Sequence, residues 1–161
     1  MCDLLDLRKV QSVAEYAPRI TSFLFQDEIK HLLPDNFIRQ QREVTEKMRA
    51  YLVDWLAEIH FKFKMWSETL YVTIGIIDRY LALTPDFKKE DLQCLGITAL
   101  HIAGKYEEIY PPELKNLLRA TDTQVPKEEI IQMEFKILFA LQFEVTFPSS
   151  LRFLERFARI A

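Results

Sequence analysis

Groups able to do chemistry are sparse in this 161-residue sequence, and the densest collection is Lys105-Tyr106-Glu107-Glu108-Ile109-Tyr110-Pro111-Pro112. Two adjacent carboxylates could in principle act as a general acid and base. They would need a nucleophile or a metal ligand beside them, and the sequence offers neither. His31, His60 and His101 are scattered, no HExxH pair or glycine-rich phosphate loop occurs, and neither Cys2 nor Cys94 has a histidine at a readable spacing. No cofactor or metal is expected, and catalysis by this chain is not expected. His101 is expected to be a hydrogen-bonded core histidine rather than a ligand.

Charge pairing is the better use of these residues. Lys105 ends the most apolar stretch of the chain, where a lone ammonium would be expensive to desolvate. Glu134, between Met133 and Phe135, is the candidate acid opposite it. One reading is an ion pair that holds two helices in register; the other is a binding device. Arg49 and Asp78, each among apolar neighbours, are expected to be structural charges of the core. Glu107 and Glu108 repel each other unless water or a partner relieves them. With Tyr106, Ile109 and Tyr110 interleaved, they read as the mixed aromatic, aliphatic and acidic edge on which another protein docks.

The elements that position these residues must all be helices. Only three glycines occur, no stretch sustains the apolar-polar alternation of a strand, and the prolines fall mostly between periodic segments. With 49% hydrophobic and 28% charged residues, the chain can bury a core without disulfides. The net charge of −3 and the absence of a basic stripe argue against nucleic acid as a partner. The longest charge-free run near the centre, Leu92 to Gly104, is too short to span a bilayer and suits a buried helix, so no membrane association is expected. Asp3, Asp6, Arg8 and Lys9 interrupt any signal sequence, and the two distant cysteines fit a reducing compartment, nucleus or cytoplasm.

Spacing predicts a first helix over about Ser12 to Leu33, with Val13, Tyr16, Ile20 and Leu24 on one stripe. Thr45 is expected to cap a second helix reaching about Lys64, and Ser67 with Glu68 to begin a third ending near Leu83. A fourth runs from about Lys88 to Tyr106, its small residues Cys94, Gly96, Ala99, Ala103 and Gly104 marking it as central. Pro111 and Pro112 open a short helix with Glu113 in its first turn, Pro126 opens one reaching about Leu141, and Ser149 to Arg159 forms the last.

Four ordered motifs now carry a family. Met48-Arg49-Ala50-Tyr51-Leu52-Val53-Asp54-Trp55-Leu56, then Ile77-Asp78-Arg79-Tyr80, then the Lys105 to Pro112 stretch, and finally Met133-Glu134 resemble the cyclin box, most closely that of mitotic B-type cyclins. The resemblance covers about Ser12 to Phe147. It implies an all-α fold: an N-terminal helix and linker over residues 1–40, a five-helix cyclin box over 41–145, and over 146–161 the first helix of an incomplete second box. On this resemblance the chain is expected to be a fragment or an unusually short cyclin.

The same resemblance implies a non-catalytic activator of a cyclin-dependent protein kinase in cell-cycle control. It gives Lys105 and Glu134 a clamp on the kinase's regulatory helix, and contact roles to Tyr106, Glu107, Glu108, Ile109, Leu138, Phe143, Tyr16 and Ile20. It also implies a docking patch for RxL-type substrate or inhibitor peptides, made here of Met48, Tyr51, Leu52, Trp55, Leu92 and Gln93 with Glu58 placed for a basic residue. This chain departs from the family pattern at Tyr51, usually isoleucine, at Tyr106, usually phenylalanine, and at Cys94, usually leucine. The competing expectations are a cyclin-fold adaptor of the transcription machinery, which would show a basic face, and an enzyme built on the paired glutamates.

Overall fold

The computed structural model describes residues 14–121 and 125–160, and among these it contains seven α-helices, short 3-10 turns and no strand. The helices are α1 (Ala17–Lys30), α2 (Glu46–Lys62), α3 (Ser67–Leu83), α4 (Leu92–Glu107), α5 (Leu114–Thr121), α6 (Lys127–Ala140) and α7 (Ser150–Ile160). Two compact units result. One is Leu33–Thr146, and the other joins residues 14–32 to 147–160.

The larger unit is built around α4. Eleven of its residues are buried, Leu92, Cys94 to Leu100 and Ile102 to Gly104, and α2, α3, α5 and α6 all pack against it. The small side chains explain the close approach: a Cβ on Gly96 would lie 2.8 Å from Leu52 Cδ1 of α2. Two polar residues tolerate this interior because each returns its hydroxyl to the carbonyl one turn back, Thr98 to Cys94 and Thr73 to Thr69, both at 2.6 Å. α3 and α6 complete the core with Val72, Ile76, Ile77, Leu81, Ile130 and Ile137.

Arg49 on α2 and Asp78 on α3 meet in a bidentate pair, Nε to Oδ1 and Nη2 to Oδ2, each at 2.6 Å. The hydrogen bonds to Asp78 push the Arg49 pKa up in spite of its partial burial. The two charges singled out in the sequence as structural therefore satisfy each other and lock α2 to α3.

Helix starts divide into local and long-range cases. Thr45 caps α2, its Oγ1 accepting from the Met48 N–H at 3.2 Å, as its position predicts. Ser67 does not cap α3; it is the first helical residue, and Trp66 holds the N-cap position without a side-chain bond of its own. The acceptor comes from the end of α4 instead, as described below. Glu113 stands outside α5 with its carbonyl accepting from Asn116 and Leu117, so that helix starts at Leu114, after the proline pair rather than at it. At the other end of α3 the Gln41 amide donates to the carbonyls of Leu81 (2.6 Å) and Thr84 (3.0 Å).

In the smaller unit α1 is shorter than its periodicity suggests, ending at Lys30, and Ser12 and Val13 of the expected helix lie outside the described residues. Pro18 in its first turn is suited to a helix start, and Phe25 packs on Phe153 of α7 with ring centroids 5.1 Å apart.

Candidate functional site

Lys105 lies in the last turn of α4, where the negative end of the helix dipole favours a cation. Its Nζ donates to Glu134 Oε1 on α6, so the two residues expected to pair do so. The environment differs from the one the apolar sequence suggests: the Lys105 side chain is 42% exposed and that of Glu134 20%. The pair stands at the rim of the core, so its desolvation cost is modest.

From this pair the surface continues in two directions. Along the chain, Tyr106 is half-exposed and its hydroxyl shares a hydrogen bond with Thr146 Oγ1, a link that the phenylalanine of the family pattern could not make. Ile109 and Tyr110 then project almost wholly into solvent. Along α6, Leu138 lies one turn beyond Glu134 and is half-buried. After the helix, Gln142 and Phe143 both adopt positive φ, 52° and 61°. Left-handed backbone at two successive non-glycine residues costs on the order of 1–3 kcal/mol each. It turns the chain sharply and leaves the Phe143 ring exposed, while its N–H still donates to the Leu138 carbonyl at 2.8 Å.

The two acids after Tyr106 are not an open pair of like charges. Glu107 is half-buried. Glu108 is also half-buried, and its Oε1 accepts from the Trp66 N–H at 2.8 Å and from Thr69 Oγ1 at 2.5 Å. Its carboxylate is thus a cap on the N-terminus of α3, where the helix dipole favours negative charge. No local signal announces this role, because the partners lie about forty positions earlier.

The second patch is less uniform than its sequence suggests. Leu52 and Leu92 are buried core residues, and Leu52 is in close contact with the α4 backbone at Gly96. Met48 and Trp55 are half-buried, whereas Tyr51, Glu58 and Gln93 are exposed. Lys47 Nζ stands 5.6 Å from the centroid of the Tyr51 ring, a cation–π arrangement that the sequence reading did not foresee. Tyr16 and Ile20, on and just before α1, belong to the smaller unit and are half-exposed there.

His101 lies one turn before Lys105 on α4 and is half-buried, not fully enclosed. Its Nδ1 is shielded from solvent without a hydrogen-bond partner, contrary to the expectation of a satisfied histidine. Burial first, and then the Lys105 charge, push its pKa down, with Glu134 opposing. Burial likewise pushes the Cys94 thiol up, away from thiolate reactivity. Among the described residues no cluster of three or more histidines, cysteines and acids could hold a metal, and no helix is long and apolar enough to cross a membrane.

Comparison with known proteins agrees with this geometry. The family profile described as cyclin, N-terminal domain, matches residues 19–146. A putative cyclin-A3-1 of Arabidopsis thaliana is 44% identical over 152 residues, covering 94% of this chain and 42% of that protein. A G2/mitotic-specific cyclin-B of Dictyostelium discoideum is 39% identical over 161 residues, covering 99% of this chain and 36% of the relative. The chain therefore spans well under half the length of such relatives. Among solved structures, a viral cyclin from herpesvirus saimiri superposes with a TM-score of 0.71 at 25% identity, covering 83% of this chain and 59% of that one. A helical core centred on α4, the Arg49–Asp78 lock, the Lys105–Glu134 pair and a profile match over most of the sequence converge on one conclusion: the chain belongs to the cyclin family.

Proposed function

We propose that this chain binds a cyclin-dependent protein kinase and activates it by holding the kinase's regulatory helix in its active orientation. The observation that carries this reading is the Lys105–Glu134 ion pair at the rim of α4 and α6, followed along the chain by exposed Ile109 and Tyr110 after α4 and by exposed Phe143 after α6. A solvent-facing charge pair beside large apolar side chains has the composition of a docking face. Glu134 keeps one oxygen, and Lys105 two protons, available for polar backbone groups of a partner.

Activation follows as a population shift. Phosphoryl transfer in kinases requires an ion pair between a strand lysine and a glutamate on the regulatory helix. A partner that binds only the correct helix orientation raises its population. Moving that population from about 1% to about 99% takes roughly 5.5 kcal/mol of differential affinity, within reach of one standard interface. Engagement of Glu108 as a helix cap argues against the paired glutamates as a free acid–base couple.

Phosphorylation of a generic substrate by a purified cyclin-dependent kinase, with and without the chain, tests the proposal, with a Lys105→Ala/Glu134→Ala variant in parallel. Stimulation by the parent chain that the folded variant lacks is expected. Binding without stimulation would reduce the function to docking, and no binding would favour the adaptor reading. The exposed face of α2 around Tyr51 and Glu58 is the part of the peptide-docking patch that remains open to RxL-type peptides in the same proposal.

A further inference from the structure

α5 spans two turns, and α4 does not use all of its apolar face. Leu117 is buried, whereas Leu114 and Leu118 are only half-buried. At about 100° per residue, Leu114 and Leu118 lie about 60° and 100° to one side of Leu117, and Lys115 and Arg119 follow at about 160° and 200°. In one direction around its axis the helix therefore passes from core to apolar surface to cationic surface.

The apolar step is one wall of an open groove of about 440 Å³, lined by Glu113, Leu114, Lys115 and Leu118 and bounded on the other side by Lys127, the first residue of α6. Two lysines thus flank an apolar floor, with Glu113 the one acid in the lining. Glu128 and Glu129 lie about 100° and 200° further round α6 and do not line the groove. Pro126, at the N-cap position, gives α6 no side-chain cap. Lys127 therefore stands at the positive end of a helix dipole, where an anion relieves both.

We propose that this groove binds an acidic peptide segment of another protein, seating one apolar side chain on Leu114 and Leu118 and setting flanking carboxylates against Lys115 and Lys127. The site goes beyond the kinase reading, since α5 carries none of the residues assigned to the kinase edge. Charge and shape select the occupant. Lysines on both rims favour an anion although the chain as a whole carries −3, and the floor between them requires an apolar group. Enclosed ligand sites cover about 70–90% of a small molecule. An open groove would leave much of a free fatty acid in water, whereas a peptide needs to bury only one side chain. A second copy of this chain is the weaker occupant, because five lining residues fall well short of the about 20–30 a side of a stable interface.

The test titrates a fluorescein-labelled pentapeptide, one leucine between two pairs of aspartates, with the whole chain and reads fluorescence polarisation. Lys115→Gln/Lys127→Gln replaces two exposed residues with another good helix former, and circular dichroism monitors folding. The double variant should stay helical and bind at least about tenfold more weakly, as loss of two ion pairs requires. A control peptide with alanine in place of the leucine should bind the parent several-fold more weakly, because less apolar surface is buried. A folded parent that does not bind the leucine peptide at millimolar concentration would overturn the proposal. Equal affinity of parent and double variant would place the peptide elsewhere, and equal affinity for the two peptides would remove the apolar floor from the contact; either result also overturns it. If sedimentation shows a parent dimer that the double variant dissociates at unchanged peptide affinity, the groove serves self-association and the proposal is wrong.

Discussion

Glu108 and Thr69, thirty-nine positions apart, are joined by a 2.5 Å hydrogen bond from the threonine hydroxyl to the glutamate carboxylate. The same oxygen accepts from the Trp66 N–H, so the end of α4 closes the start of α3. An acid assigned to the proposed docking edge is thereby also engaged in the fold.

Replacing Glu108 with alanine should consequently act on stability before it acts on binding. Loss of a helix cap costs about 0.5–2 kcal/mol, and this cap also bridges two helices. Urea denaturation of Glu108→Ala should show a midpoint lowered accordingly, with kinase affinity per folded molecule near that of the parent. An unchanged midpoint together with weakened binding would return Glu108 to the docking face.

What could be read from the sequence and what could not differ for a physical reason. Arg49, Asp78, Lys105 and Glu134 stand out because a charge among apolar neighbours demands a partner, and each of the four has one. The Thr45 cap was legible because its acceptor lies three residues from its donor. The bounds of α3, Ser67–Leu83, were legible too, but the bonds that close its ends were not, because Glu108 and Gln41 reach them from distant segments. Leu52 and Leu92 fit a docking patch by type, but the close approach of α2 to Gly96, invisible in a one-dimensional pattern, encloses them. The exposure of Ile131, Phe135 and Phe139 on α6 was not legible, because recognising it requires knowing which arc of the helix the core occupies.

The Arg49–Asp78 lock should be intolerant of half-measures. Removing one partner strands the other charge against apolar surroundings, which costs about 3–5 kcal/mol when fully buried. Arg49 keeps about a third of its side chain exposed, so about 2 kcal/mol is expected for Arg49→Ala or Asp78→Ala. The combined Arg49→Met/Asp78→Leu variant should recover part of that loss in thermal denaturation. A double variant as unstable as the sum of the singles would mean that the pair contributes nothing by coupling.

Tyr51 fills the position where the family pattern has isoleucine, and Lys47 lies over its ring. Bringing an arginine of an RxL-type peptide here would place a second cation beside Lys47. Tyr51→Ile removes the ring that holds the lysine and should strengthen peptide binding several-fold by fluorescence polarisation, with folding unaffected because Tyr51 is exposed. Equal affinity in the two proteins would show that neither the ring nor its cation shapes the groove.

His101 gives the fold a defined acid sensitivity. Burial and the Lys105 charge hold its folded pKa below the ordinary imidazole value of 6.5. Above that value the ring is neutral in folded and unfolded chains alike, and its titration does not alter stability. As pH falls below 6.5, the unfolded chain takes up a proton that the folded chain resists. Stability is therefore lost progressively toward the depressed folded value. His101→Leu removes this dependence and also the unpartnered Nδ1, whose burial costs about 1–3 kcal/mol. Urea midpoints measured from pH 7.5 down to 5.5 should fall more steeply for the parent than for the variant, with the variant more stable throughout. Parallel pH profiles would mean that the ring is solvated in solution and that its protonation is not coupled to folding.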